Sequence, residues 1–288
     1  MISFTQEIEL FLKEYSIGHK FTTIEGITFI QSLHNGVLIC PIDKNWFEMD
    51  NPLHKGELMN RIRKEYSDVT IIYIYEDQWH FHKTLTRGRL LSHLGLQKSI
   101  FARNCIIKEI SQEQAAAFLQ KNHIYGGTKA KYRYGMFRKR ATGGQETLME
   151  QTPTLVAVAT FSTPKKIDGF MSYQWERYAS LCGTRIVGGM GKLLNYFVEK
   201  QLSLGQSVEI MSYADLEFSD GGVYRTLGFS EESFKPPVKF LVHKNNFKRI
   251  HSCKIGRDRA YSGDEIKELE DYYPIYNLGS IKFISRYK

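Results

Sequence analysis

The stretch SYADLEFSDGGVYRTLGF, residues 212–229, closes an apolar run at Asp215, crosses a glycine-bearing loop and places Tyr224 shortly before Gly228-Phe229. A carboxylate at a strand end can accept a proton, and a phenol can donate one to a departing group. The plainer roles are an aspartate that caps the next turn and a tyrosine that packs on a sheet. Upstream, RIVGGMGKLLNYFVEKQL sets Gly188, Gly189 and Gly191 ahead of Lys192 and a segment in which Leu193, Leu194, Phe197, Val198 and Leu202 recur at helical spacing. Glycines admit close backbone approach, and the open N–H groups of a helix start favour an anion. A phosphate or pyrophosphate fits there with Lys192 beside it; a tight turn leading into a helix is the other reading.

These groups need a scaffold, and the chain is long enough to supply one. With 288 residues of which 42% are hydrophobic, it can bury one large core or two ordinary ones. Thirty-nine Lys and Arg against 31 Asp and Glu give +8 and point to a polyanionic partner, nucleic acid first. Cys40, Cys105, Cys182 and Cys253 have no paired spacing, so neither a disulfide framework nor a zinc site is signalled, which fits a reducing cytoplasm. The start MISFTQEIELFLKEYSIGHK lacks the order of a signal peptide and no apolar run approaches about 18 residues, so neither export nor a membrane span is expected.

The pattern predicts an α/β chain of two domains, 1–103 and 104–288. In the first, DVTIIYIYEDQW reads as a buried strand, followed by a polar helical stretch to LLSHLGLQ. SIFARNCIIKEI reads as a second strand, and SQEQAAAFLQKN as a helix with a Ser N-cap. TLVAVATFS, the glycine-led helix, SVEIMSYAD, the short GGVYRTLGF helix and VKFLVH follow, an alternation that predicts a sheet at least partly parallel. The charged tail from 243 to 288 is read as a helix and a last strand.

A glycine loop and helix, then a strand, then YRTLGF and another strand resembles the Gcn5-related acetyltransferase superfamily, with its mixed sheet, pyrophosphate loop and late tyrosine that protonates the thiolate of coenzyme A. Arg185 stands three residues before Gly188, but Met190 occupies a position that the superfamily fills with a small residue. More narrowly, FLQKNHIYGG, WERYASLCGTRIVGG, SYADLEFSDGGVYRTLGF and YYPIYNLGSIKFI resemble the Mom-type phage DNA modification proteins. That resemblance implies transfer of a small acyl-type or amide-bearing group to the exocyclic amine of adenine in DNA, protecting it from restriction. It implies functional roles for His123, Arg177, Asp215 and Tyr224, and a coenzyme A thioester or other activated acyl donor held at Gly188, Gly189, Gly191 and Lys192. Adenine's amine is a poor nucleophile, so Asp215 or His123 is expected to take its proton, Arg177 to hold an oxygen with its planar fork, and Tyr224 to donate. A capping His123 and an Arg177 paired with Glu176 are the structural alternatives.

TKAKYRYGMFRKRATGG interleaves Lys129, Lys131, Arg133, Arg138, Lys139 and Arg140 with Tyr132, Tyr134 and Phe137. Cations neutralise phosphates and aromatic faces stack on unpaired bases, so this segment is a candidate DNA contact; a strand with its tyrosines turned inward is the alternative. Tyr125, Trp175 and Tyr213 are candidates for holding a flipped base.

In relatives of this type the preceding domain resembles a small restriction-endonuclease-like fold akin to very-short-patch repair nucleases. Here NGVLICPIDKNWFE offers apolar Val37, Leu38 and Ile39 where such a nuclease needs an acid, and Asp43, Lys44 and Glu48 lack its spacing. The expectation is an inactive nuclease relative, with no metal assigned to His80 and His82 in QWHFHK. A DNA-cutting protein of homing or restriction type and a small-molecule N-acetyltransferase are the competing functions.

Overall fold

The computed structural model describes residues 2–47, 52–139, 153–252 and 270–288. The chain begins with α1 (Phe4–Glu14), β1 (His19–Ile24), β2 (Ile27–Ser32), β3 (Leu38–Ile42), α2 (Pro52–Glu65), β4 (Ile71–Tyr75), α3 (Glu76–Phe81) and α4 (Lys83–His93). It continues through β5 (Lys98–Phe101), β6 (Cys105–Glu109), α5 (Gln112–Asn122), β7 (Tyr132–Arg138), β8 (Leu155–Phe161), β9 (Lys165–Ile167), β10 (Phe170–Ser180) and β11 (Thr184–Val187). The remainder is α6 (Gly189–Leu202), β12 (Val208–Asp215), α7 (Gly222–Thr226), β13 (Ser230–Lys235), β14 (Lys239–His243), β15 (Arg249–His251), β16 (Tyr272–Tyr276) and β17 (Ser280–Tyr287). The architecture is mixed α/β with several sheets, as the alternation of patterns predicts.

Two compact units form, and they interleave in sequence. The first comprises Met1–Leu94, Ala214–Gly221 and Ser233–Ile281; the second comprises Gly95–Tyr213, Gly222–Glu232 and Lys282–Lys288. A single break near residue 103, with 104–288 as one domain, is therefore corrected. The reason lies in the first sheet, ordered β1-β2-β3-β4 with β3 and β4 parallel. Strands β2, β3 and β4 are apolar on both faces: Ile30, Ile39, Ile72 and Ile74 turn one way, Phe29, Leu38, Tyr73 and Tyr75 the other. The first set is covered by Phe4, Ile8, Phe11 and Leu12 of α1, together with Trp79 and Leu90. The second set is covered by Met59 and Ile62 of α2 and by Leu216, Val242, Ile275 and Leu278 from the distant segments. Without those late residues one face of the sheet would keep much of its apolar surface in water. The strand read over 68–79 is shorter, Ile71–Tyr75, because Glu76–Phe81 forms α3; the helical stretch that follows is α4, and with QWHFHK helical through Phe81 rather than extended, His80 and His82 do not share a strand face.

The second unit is built on a sheet ordered β13-β17-β12-β10-β8-β7-β6. Neighbours from β6 to β10 are antiparallel, while β10 and β12 run parallel. Helix α5 starts on a reciprocal cap: the Gln114 N–H donates to Ser111 Oγ at 3.2 Å and the Ser111 N–H to Gln114 Oε1 at 3.1 Å. It lays Ala115, Phe118 and Leu119 against Val158 and Ala179 on one face of the sheet. On the other face Phe161 stacks on Phe197 of α6 with ring centroids 3.9 Å apart, ringed by Tyr132, Tyr134 and Tyr173. The helix expected in the tail falls on 253–269, outside the described residues; β16 and β17 follow.

Candidate functional site

Strand β10 carries Trp175, Glu176 and Arg177, and two irregularities meet on it. Toward β8 its register shifts between Trp175, opposite Phe161, and Arg177, opposite Thr160, leaving Glu176 as the extra residue of a bulge. Without the bulge Trp175 and Arg177 would share a face. With it, Trp175 lies among the aromatics beside α6, stacked on Phe161, and Arg177 turns to the α5 face. Toward β12 the parallel ladder stops at Gln174 opposite Met211, although both strands continue.

Where that ladder stops, side chains replace it. Ser212 Oγ donates to the Trp175 carbonyl at 3.1 Å and lies 2.8 Å from Tyr224 Oη. A hydroxyl has one proton, so Ser212 gives its own to the carbonyl and Tyr224 donates to Ser212. Tyr224 stacks on Phe283 and meets Trp175 and Phe229 edge-on. Burial raises the pKa of its phenol, with the Ser212 bond opposing, so the phenol keeps its proton at neutral pH.

On the α5 face His123 ends helix α5, and its Nδ1 accepts the Tyr125 N–H at 3.1 Å. Burial, reinforced by nearby Arg177, lowers its pKa to about 4. The ring is therefore neutral with its proton on Nε2, a donor rather than the expected base. Arg177 lies over the Tyr125 ring, 5.8 Å from its centroid, and donates to the Glu176 carbonyl at 2.7 Å. Among the described residues no carboxylate reaches salt-bridge distance of its guanidinium, so a pairing with the Glu176 side chain is corrected. The Glu176 carboxylate accepts instead from Thr128 Oγ1 at 3.3 Å, and burial raises its pKa, with Thr128 and Arg177 opposing. Glu176 is a partly buried carboxylate that the motifs do not announce. Its one sequence signal is a carboxylate inside a strand otherwise rich in aromatics.

Protonating His123 requires charging a buried ring, and the sign of its effect on stability follows. Its folded pKa lies below the ordinary 6.5, so its contribution is present above 6.5 and is lost as pH falls toward about 4. Thermal unfolding of the second unit should lose up to about 1.4 kcal/mol per pH unit over that window, and His123→Gln should remove this component.

The glycine turn has the geometry that its sequence suggests. Gly188 caps α6 at φ 76°, in the left-handed region. A Cβ on Gly189 would lie 2.7 Å from Ile186 Cγ2 and 2.8 Å from the Tyr178 hydroxyl, and one on Gly191 would lie 3.1 Å from Leu227. The first bond of the helix runs from the Lys192 N–H to the Gly188 carbonyl, which leaves the amides of 189–191 without a partner inside the helix. Lys192 does not join them: its ammonium donates to the Ala102 and Cys105 carbonyls at 2.9 and 2.6 Å, so its expected place beside a phosphate is corrected. Gly189→Ala should cost about 1–3 kcal/mol by overpacking, readable by calorimetry.

Asp215 belongs to the first unit, whereas His123, Arg177 and Tyr224 belong to the second. Its Oδ1 accepts the Glu217 N–H at 3.0 Å and its carbonyl accepts the Phe218 and Ser219 N–H groups, which makes it the cap of the following turn. That turn is gripped by arginines. Arg63 donates to the Leu216 carbonyl, Arg89 to the Glu217 carbonyl, and Arg249 to the carboxylates of both Asp77 and Glu217. Asp43 likewise caps a turn, at Trp46, and Glu48 lies outside the described residues. Among the described residues no group of three His, Cys, Asp or Glu side chains is placed to hold a metal.

The basic-aromatic segment is divided by β7. Tyr132 and Tyr134 pack around Phe197 and Arg133 is taken up by the Ile110, Ala130 and Lys131 carbonyls, which removes them as a stacking platform and phosphate ligand. Lys129 and Lys131 are exposed at one end, Arg138 and Lys139 at the other, and Arg140 lies outside the described residues. Of the proposed base-holding residues, Trp175 is buried whereas Tyr125 and Tyr213 are exposed.

No family model matches the chain, and no curated protein does. Among solved structures, the NatC complex bound to Gag peptide and CoA aligns with a TM-score of 0.37 at 12% identity, over 64% of this chain and 99% of that one. A likeness of this degree is too slight to carry a fold or a function across. No helix among the described residues is long and apolar enough to cross a membrane.

Proposed function

We propose that the second unit transfers a small acyl-type group from a coenzyme A thioester to an amine, and that the amine is the exocyclic amine of adenine in DNA. The observation that carries the reading is the end of the β10–β12 ladder at Gln174 and Met211, with the Ser212–Tyr224 hydroxyl pair standing where it ends. The residues present suit the donor: two parallel strand edges that no longer pair offer backbone groups to an extended amide-bearing arm, and the open amides of 189–191 offer donors to a diphosphate. When bound, the thioester supplies the acyl group and the sulfur leaving group.

The rest of the chemistry belongs to the chain. Glu176, whose carboxyl is tuned upward by burial, accepts the proton that the amine loses. Tyr224 holds a proton at Oη, directed at Ser212, and releases it to the departing thiolate. Arg177 and the Nε2–H of His123 present donors on the α5 face to electron-rich atoms of the acceptor. The choice of DNA rests on the sequence resemblance and the basic balance of the chain. A small-molecule amine is the second reading, favoured by the packing of Tyr132 and Tyr134 around Phe197, which takes both rings out of a base-stacking platform on β7.

The test is mass spectrometry of nucleosides from plasmid DNA in cells expressing the wild type or Glu176→Gln, alongside thiol release from acetyl-coenzyme A in the presence of small amines. A new adenine nucleoside in the wild type alone is the expected result. Thiol release with small amines over unmodified DNA would transfer the reading to small-molecule acylation, and neither signal would reject it.

A further inference from the structure

The second unit carries a basic surface that the linear sequence disperses. Strands β5 and β11 form a two-stranded parallel ribbon, with Ser99 opposite Arg185 and Phe101 opposite Val187. All four are exposed, whereas Ile186, on the alternate face, is buried. Arg103 lies over the Phe101 ring, its guanidinium carbon 5.0 Å from the centroid. Next to it, Cys105 pairs with Arg138, and the Lys139 N–H donates to the Asn104 carbonyl at 2.8 Å. Lys98 opens the ribbon. Thus Lys98, Arg103, Arg138, Lys139 and Arg185, drawn from three stretches of the chain, gather at one end of the unit.

Among the described residues no carboxylate pairs with them. The sequence holds no Asp or Glu from Gly95 to Lys108, from Lys129 to Lys139, or from Tyr178 to Val198. Among the described residues none of the five cations has a carboxylate within salt-bridge distance, although elsewhere in the unit Lys200 is paired with Glu109 and Arg286 with Glu209. Exposed cations without a carboxylate partner among the described residues, beside a ribbon whose outward face shows Phe101 and Val187, suit an extended polyanion better than a small anion. We infer that this ribbon and its flanking cations are the docking surface for duplex DNA. The inference rests on the proposed function for the identity of the polyanion and moves the contact away from Lys129, Lys131 and Arg133.

The experiment is fluorescence anisotropy of a short labelled duplex with the full chain across about 50 to 200 mM salt. The variants are Lys98→Ala/Arg103→Ala/Arg185→Ala, its charge-keeping counterpart Arg103→Lys/Arg185→Lys, and Lys129→Ala/Lys131→Ala as control. The triple variant should bind at least tenfold more weakly, with the log–log salt slope flattened by roughly 0.9 for each phosphate that is no longer neutralised. The lysine variant and the control should stay near wild type. Equal binding by the triple variant, a larger loss in the control, or tighter binding of single strands by the wild type would each overturn the surface. Coenzyme A uptake is measured on the same preparations. A wild type that takes up coenzyme A but not duplex overturns the surface alone, whereas absence of coenzyme A uptake overturns the acyl-transfer reading.

Discussion

Arg249→Ala should destabilise the first unit by about 3–5 kcal/mol, the usual consequence of removing one partner from a buried ion pair. Arg249 is 8% exposed; its Nε and Nη2 donate to the Asp77 carboxylate at 2.7 and 3.0 Å, and its Nη1 to both Glu217 oxygens at 2.9 Å. The guanidinium also lies against the rings of Tyr75 and Phe240, 5.1 and 5.2 Å from their centroids. Alanine leaves two buried carboxylates with no counter-charge and opens the space between the rings. Urea unfolding followed by tryptophan fluorescence measures the loss, and a change below about 1 kcal/mol would show the triad to be a spectator. Arg249→Met/Asp77→Asn/Glu217→Gln should recover part of the loss, because no charge is then stranded.

The same triad sets a pH dependence. Burial, reinforced by Asp215 and Asp77 and opposed by Arg249, raises the Glu217 pKa from 4.5 to about 7. The folded state then holds this proton more tightly than the unfolded chain does, so the stabilisation is complete below 4.5 and is lost as pH rises through about 7. Glu217→Gln should flatten that decline while keeping a hydrogen bond to Arg249.

If the second unit transfers acyl groups as proposed, Tyr224→Phe should lower that rate by about 10²–10⁴-fold, the range for losing a positioned general acid. The fold should tolerate the change: the ring keeps its stacking on Phe283 and its edge contacts with Trp175 and Phe229. Ser212 still donates to the Trp175 carbonyl, so only the Tyr224–Ser212 bond disappears. The measurement is single-turnover thiol release, compared with coenzyme A affinity by calorimetry. An acid role predicts a fall in rate at unchanged affinity. A parallel loss of both would instead make Tyr224 part of the binding wall, and an unchanged rate would remove it from the chemistry. Raising the pH should not rescue the variant, because phenylalanine has no proton to restore.

Much of the scaffold was legible in the residues themselves. SQEQAAAFLQKN announces its helix through Ser111, and its reciprocal cap with Gln114 forms as local chemistry dictates. The glycines before α6 mark a turn that side chains would obstruct, and Tyr132 and Tyr134 alternate as a strand turned inward. These features depend on neighbours a few residues apart, and a linear pattern records them. The role of Lys192 was not legible, because its ammonium is taken up by carbonyls 90 and 87 residues away. Nor was that of Arg177, whose face is fixed by a one-residue bulge that WERY does not announce.

By itself, then, the sequence determined the α/β class, the main strands and helices, the glycine turn and the surplus of positive charge, all of which follow from local propensity, periodicity and composition. Tertiary structure decided which segments share a core and which charges meet. Asp77 and Arg249 are 172 positions apart, and Asp215, which reads as a partner of Tyr224 nine residues on, folds into the other unit. The physical reason is common to both cases. Burial of apolar faces such as that of Phe29 and Tyr73 draws in whichever distant residues cover them, and the polar groups carried along must then be satisfied where they land.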